Sequence, residues 1–433
     1  MRWTTKLAAA ALAALLTACS TTPTTVGRVV PFTTVVTYQG IPAEQRAPIT
    51  ILVSIDGFKP DYLTRGVTPN LSRLAATGVT GPMRPSFPSK TFPNHWTIVT
   101  GLRPDRNGIT ANKMEDKARP DEVFTMSSDD PFWWNEATPI WVDAEKAGIR
   151  TGTMFWPGSN VAIGGEKASK WPYEIKGGTR PSDWAQFNQV ITEEARVLGV
   201  LDWVRRPAAI RPTFITTYFD TVDTAGHSFG PDDKRTTEAV AEVDKRIGQL
   251  IDGLAEMGQP ANIVIVADHG MAATSTTRIV ALDAVLAPGS YRVVENGPYA
   301  TLEALPGQEA VVEKAFLGKH AHMECWRKGE IPQRFHYGRN PRIPPILCLA
   351  ETGWEIKERA PTSQYSGGNH GFDNFAPEMT ALFIANGPAF RAATIPAFDN
   401  VDVYPLLRRL LGLPQASGKD GSDVVFRDVL TGR

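Results

Sequence analysis

Apolar residues cluster in short runs along the chain, at Ile49 to Ile55, Thr151 to Trp156, Thr213 to Phe219, Ile263 to Ala267 and Thr380 to Ile384. Runs of this length, rich in β-branched residues and bounded by turn formers, predict strands buried on both faces. Between them the polarity changes period. The stretch Lys234 to Met257 carries apolar residues at helical spacing, starts after a Gly-Pro pair and stops before Gly258, which predicts an amphipathic helix. Strands alternating with helices imply an α/β fold with a mostly parallel central sheet covered on both faces. Such sheets place their chemistry at the carboxyl ends of the strands. The pattern breaks from about Ala273 to Arg342, which reads as an inserted, irregular subdomain within a catalytic domain spanning 49–433.

The first 48 residues follow a different logic. Residues 1–18 carry Arg2 and Lys6 and then an Ala/Leu-rich run, the zones of a secretory signal. Leu16-Thr17-Ala18-Cys19 resembles a bacterial lipobox, so Cys19 is the expected lipidation site, and the Ser/Thr/Pro-rich stretch over 19–48 is expected to be a flexible tether. The expected location is the bacterial periplasm, on an outer-membrane lipoprotein anchored to the membrane through its lipid. Past the first 20 residues there is no run of 18 apolar residues, so no internal span is predicted. With Cys19 lipidated, Cys325 and Cys348 remain as a pair in an oxidising compartment, and a disulfide is expected, with two buried thiols as the alternative.

Composition narrows the class of function. Lys and Arg number 45 against 46 Asp and Glu, which excludes a polycation that coats nucleic acid, and 42% hydrophobic residues exclude a disordered chain. The 37 Gly and 34 Pro call for many loops.

Chemistry gathers where those loops meet strands. Asp56-Gly57 follows the first run, Asp268-His269-Gly270 follows the fourth, and Asp223 and His227 follow the third within a Gly/Ser-containing loop, Thr224 to Gly230. His370 lies in Gly367-Gly368-Asn369-His370-Gly371. Singly, each of these side chains is an ordinary turn former or hydrogen-bonding residue. Together, three Asp and three His supply the mixed oxygen and nitrogen donors that zinc accepts, in the number that two ions require. Two such ions can clamp the attacking and leaving oxygens of an in-line phosphoryl displacement. His95, His320, His322 and His336 have no such partners in the sequence and read as structural.

A nucleophile candidate stands in Lys90-Thr91-Phe92-Pro93-Asn94-His95. Pro93 suits the first turn of a helix, which puts Thr91 or Phe92 at its N-terminus, where free N–H groups attract phosphate. Asn112 could donate an amide hydrogen to a phosphoryl oxygen as charge develops.

These motifs, with Val99-Thr100-Gly101-Leu102 and Asn107-Gly108-Ile109, resemble the nucleotide pyrophosphatase/phosphodiesterase family of the alkaline phosphatase superfamily, from about residue 49 onward. The resemblance implies an alkaline-phosphatase-like α/β/α sandwich with two Zn2+ ions, one held by Asp56, Asp268 and His269 and the other by Asp223, His227 and His370. It makes Thr91 the nucleophile bridging both ions through a phospho-threonine intermediate, Asn112 a contact to the phosphoryl oxygen, and Phe92 and Tyr173 the aromatics that sandwich a nucleobase. The implied substrate is a small-molecule nucleotide diester or pyrophosphate, cleaved to nucleoside 5′-monophosphates; no protein partner is implied. A basic motif for a terminal phosphate is missing after Trp156-Pro157-Gly158, and the sulfatase motif is missing around Thr91. A glycerophospho- or choline-phosphodiesterase on the same metal core is the alternative enzyme, and a binding lipoprotein without catalysis is the alternative from another class.

Overall fold

The computed structural model describes residues 45–432; the signal segment, Cys19 and all but the last few residues of the expected tether lie outside the described residues. An eight-stranded sheet forms the centre, in the order Ala393–Thr394, Val79–Thr80, Phe383–Asn386, Ala261–Val266, Ile49–Ile55, Phe214–Phe219, Thr151–Met154, Asp183–Trp184. All neighbours pair parallel except around Phe383–Asn386, which runs against both of its neighbours. Every residue of Ile49–Ile55 is buried. A parallel strand flanked by helices on both faces has no solvent side, which is why its sequence shows no alternation.

Helices Pro69–Thr77, Glu193–Arg205 and Lys234–Glu256 pack together as one layer, and Thr91–Thr100, Ile140–Lys146 and Val403–Leu410 as the other. The helix Lys234–Glu256 buries Val240, Val243, Ile247, Leu250 and Leu254, three or four residues apart, and Asp233 caps its start by accepting a hydrogen bond from the Arg235 N–H. The result is the alkaline-phosphatase-like α/β sandwich. Among the described residues, no helix is long and apolar enough to cross a membrane.

The segment expected to be irregular is ordered, and it extends past Arg342. It forms a five-stranded antiparallel sheet in the order Tyr291–Glu295, Tyr299–Ala304, Ile346–Ala350, Met323–Arg327, Gly318–His320. Its strands are short, and the outer ones are one-faced. In Met323–Arg327, buried Met323 and Cys325 alternate with more exposed Glu324 and Trp326, a pattern easily lost among polar loops. Cys325 and Cys348 are direct cross-strand neighbours on this sheet and are joined by a disulfide.

Candidate metal centre and active site

Register brings the ligand candidates to one edge. Ile55 pairs with Phe219 and Ser54 with Val266, so three adjacent strands end together and their following residues share the same rim. Asp56 lies on that rim. Gly57 beside it has a φ of 67°, and a Cβ there would stand 3.1 Å from Asp223, so the glycine lets the two carboxylate-bearing segments approach. Its N–H donates to Asp268 Oδ1 at 3.2 Å.

Asp223 and His227 sit on a helix, Thr221–Phe229, rather than in the expected loop. Four residues apart on a helix, they face the same way. His370 follows a short strand, Ser366–Asn369, that pairs with Ala272–Ser275 just after Asp268-His269. Two groups result: Asp56, Asp268 and His269, and Asp223, His227 and His370, each with its candidate ligand atoms within 4.8 Å of one another. The rings of His269 and His370 stack with centroids 3.4 Å apart, so the groups adjoin.

Hydrogen bonds decide which imidazole nitrogen faces the centre. His227 Nδ1 meets Gly368 O, His269 Nδ1 meets Gly270 O and His370 Nδ1 meets Ser89 O, each at 2.9 Å. A nitrogen facing a carbonyl must carry the hydrogen, which leaves each Nε2 with its lone pair toward the rim. His227 Nε2 and His370 Nε2 then stand 3.1 Å apart with two lone pairs and no proton between them. Asp56 Oδ1, Asp223 Oδ1 and Asp268 Oδ2 are likewise buried without a hydrogen-bond partner. His269 Nε2 lies 2.9 Å from Asp268, but without the geometry of a hydrogen bond. Orphaned buried oxygens are costly and rare, and three beside converging imidazole lone pairs are the environment a cation satisfies. Borderline donors of this kind suit zinc.

The charges are interdependent. Burial and the negative charges of Asp268 and Asp223 push the Asp56 carboxyl well above the usual carboxylate range, although Tyr218 donates a 2.6 Å hydrogen bond to its Oδ2. Burial also raises Asp223. Burial acts the same way on Asp268, but the adjacent His269 and His95 outweigh it and hold that carboxyl down at about 2. Burial would lower His269, and the neighbouring Asp268 raises it instead. His370, buried among His269, Lys90 and His227, is depressed well below the usual imidazole value.

Thr91 is the first residue of the helix Thr91–Thr100, and its Oγ1 is 3.3 Å from His269 Nε2 of the first group. Asn112 accepts a hydrogen bond from the Phe92 N–H at 2.9 Å through Oδ1, so its Nδ2 remains as donor at the same helix end. His95, one turn after Thr91, is fully buried; its Nδ1 meets Thr91 O and its Nε2 meets Ser54 Oγ, both at 2.7 Å. It therefore fixes the backbone behind the hydroxyl. Lys90, immediately before Thr91, is buried with burial pulling its ammonium below the usual lysine range and Glu295, Asp223 and Glu355 opposing this.

The rings around Phe92 include one that the sequence does not single out. Tyr173 is 53% exposed at the turn of the hairpin Ile163–Lys167 and Ile175–Thr179 and makes no ring contact with Phe92. That hairpin is held from its base, where Asn135 Oδ1 accepts from the Gly164 N–H at 2.7 Å, and its turn projects outward. The ring that meets Phe92 is Phe187, at 5.5 Å, which also packs on Phe155 and Tyr218 at 5.2 Å. Phe124 and Trp134 close the other sides of Phe92. A lone Phe in an irregular loop carries no sequence signal of this contact.

Known proteins resemble this chain over most of its length. The family model described as type I phosphodiesterase / nucleotide pyrophosphatase matches residues 50–373. The bis(5′-adenosyl)-triphosphatase enpp4 of Xenopus laevis is 38% identical over 377 residues, covering 86% of this chain and 79% of that protein. Ectonucleotide pyrophosphatase/phosphodiesterase family member 1 of Rattus norvegicus is 36% identical over 88% of this chain, which spans only 42% of that longer protein. Among solved structures, human ectonucleotide pyrophosphatase/phosphodiesterase 5 superposes with a TM-score of 0.81 at 32% identity, over 89% of this chain and all of that one. The murine counterpart, an inactive threonine-to-alanine variant in complex with AMP, gives 0.82 at 33% identity, over 89% of this chain and all of that one. With the match extending from the first strand through His370, the chain belongs to the type I phosphodiesterase / nucleotide pyrophosphatase family.

Proposed function

We propose that the protein is a two-zinc hydrolase of nucleotide phosphodiester and pyrophosphate bonds, acting on substrates such as nucleoside triphosphates or dinucleoside polyphosphates and releasing nucleoside 5′-monophosphates. The observation that carries this is the Thr91 hydroxyl at a helix N-terminus, 3.3 Å from His269 Nε2 of an acid-rich donor group that adjoins a second, imidazole-rich one. Asp56, Asp268 and His269 would hold one ion and Asp223, His227 and His370 the other. Bound there, zinc would neutralise the carboxylates and favour the alkoxide form of a hydroxyl that is otherwise a poor nucleophile.

The residues of the chain divide the remaining work. Thr91 Oγ1 forms a bond to phosphorus as the bond to the leaving oxygen breaks, and water then cleaves the Thr–O–P linkage and returns the free hydroxyl. Asn112 Nδ2 and the Thr91 N–H donate to the phosphoryl oxygens, the Phe92 N–H being taken by Asn112 Oδ1 and Pro93 having none. The AMP complex of the murine relative, in a variant that is inactive after losing a threonine hydroxyl, supports both the nucleophile and the monophosphate product.

Comparing the p-nitrophenyl ester of thymidine 5′-monophosphate with p-nitrophenyl phosphate tests the reading; it predicts a strong preference for the diester. A preference for the monoester would make the protein a phosphatase. In the same assay Phe187→Ala should raise KM for the nucleotide ester about 5- to 150-fold, because a base–aromatic stack contributes about 1–3 kcal/mol. The rate on bis-p-nitrophenyl phosphate, which has no base, should change little. Equal loss on both substrates would remove Phe187 from the base pocket and favour the glycerophospho- or choline-phosphodiesterase reading.

The same proposal places the enzyme in the periplasm on a lipid anchor, supported by Leu16-Thr17-Ala18-Cys19. Cys19→Ser should then move the protein from the membrane fraction to the soluble one. Retention at the membrane would refute the anchor.

A further inference from the structure

The ordered inserted region brings the buried carboxylate of Glu355 to the metal centre. Glu355 is 3% exposed and opens the short strand Glu355–Lys357, which pairs in parallel with Ile279–Ala281. Its backbone is pinned on both sides: its N–H donates to Arg278 O at 3.0 Å, and Ile356 exchanges two backbone hydrogen bonds with Gly297 at 2.6 and 2.9 Å. The carboxylate itself is occupied. Oε2 accepts from the Tyr365 hydroxyl at 2.6 Å, and Oε1 accepts from Asn369 Nδ2 at 2.6 Å and from Lys357 Nζ at 3.4 Å. Burial works against ionisation, but these donors hold the carboxyl below the usual carboxylate range, so it is charged.

Asn369 carries the connection onward. With its Nδ2 committed to Glu355, its Oδ1 accepts from the N–H of His370 at 2.9 Å. The residue on its other side, Gly368, supplies the carbonyl that holds His227 Nδ1. Asn369 thus stands between the backbone oxygen that orients one imidazole of the second donor group and the backbone that bears the other. No such path leads from Glu355 to Asp56, Asp268 or His269 among the hydrogen bonds of the described residues.

We propose that Glu355 is a positioning residue for one metal site only: acting through Asn369, it sets the directions of His227 and His370 and thereby the zinc affinity of the Asp223/His227/His370 site, leaving the Asp56/Asp268/His269 site unaffected. The proposal rests on the two-metal reading above. Partners that orient metal-ligating histidines are worth about 10- to 100-fold in metal affinity when removed. The inserted subdomain is therefore part of the metal centre, although it supplies no ligand.

The test is zinc binding by the purified full chain against a graded series of free-zinc concentrations set by a competing chelator. The wild type should bind two ions. Glu355→Ala should keep one ion with unchanged affinity and release the second at about 10- to 100-fold higher free zinc than the wild type does. Asn369→Ala, a milder change at a half-buried position, should show the same selective loss, and the double variant should lose little more. Glu355→Gln retains an acceptor for Asn369 and should restore binding to near the wild-type curve. Unchanged affinity for both ions in Glu355→Ala and Asn369→Ala would overturn the proposal, as would parallel weakening of both ions. A wild type that bound fewer than two ions would instead overturn the underlying two-metal reading, before any substitution is compared.

Discussion

Thr91→Ala should lower turnover of nucleotide diesters by about 10⁴-fold or more while leaving the fold and the zinc content intact. The size follows from what is lost: without the hydroxyl no Thr–O–P linkage can form, and only direct attack by water remains. The selectivity follows from the position. Thr91 makes no side-chain cap to its own helix, because the cap residue is Lys90 and the Phe92 N–H is already satisfied by Asn112. Alanine also forms helix at least as readily as threonine. The three acids and three imidazoles stay where the sheet rim holds them, so zinc analysis should give the wild-type stoichiometry. A variant with an unchanged rate would show that another group attacks phosphorus. Loss of metal along with activity would mean that Thr91 contributes more to holding the ions than to the chemistry.

The parts of this site that the sequence makes legible are those governed by local rules. Asp56 and Asp268-His269 stand directly after fully buried strands, and a parallel sheet puts such residues at its functional edge whatever the remainder of the fold does. Pro93 marks a helix start, and Thr91 is indeed its first residue. What the sequence hides depends on contacts between distant segments. Thr221–Phe229 contains a glycine and several poor helix formers, yet it is helical; Gly226 packs against Met271 so closely that a Cβ there would approach to 2.9 Å. Tertiary packing overrides propensity at that point. The inserted sheet escaped because its strands are short and antiparallel and its outer ones half-exposed, so that even the buried central run Ile346–Ala350 is brief and stands among polar loops. Phe187 and the Glu355–Asn369 pair escaped for a related reason. Each acquires its role from a partner far away in the chain or across a sheet, and neither has a characteristic spacing.

Removing the metals should abolish activity and make stability newly sensitive to pH. In the metal-free protein the adjoining acids and imidazoles no longer have a cation to neutralise them, and their proton affinities shift. Asp56, Asp223 and His269 are all raised in the folded chain. A group with a raised folded pKa binds protons more tightly when folded, so its contribution to stability declines as pH rises through the folded value. For His269 that contribution is complete below the ordinary imidazole value of 6.5 and is lost above it. Two other groups work in the opposite sense but at lower pH. Asp268, held at about 2, gives a stabilisation that is already complete above 3.8, and His370, depressed well below 6.5, adds none beyond that point. Above pH 6.5 the falling contributions therefore stand alone among the six candidate ligands; Lys90, lowered by burial, works in the opposite sense in both the chelated and the restored form. Zinc binding displaces the same protons, so the loaded protein should lack this dependence, and its apparent zinc affinity should fall as the pH is lowered. The measurement is thermal unfolding of chelated and zinc-restored protein between pH 6.5 and 8.5. The chelated form should lose stability toward high pH relative to the restored form, and activity should return with zinc. Parallel stability curves for the two forms, or full activity in the presence of excess chelator, would mean that these six side chains do not hold the ions on which catalysis depends.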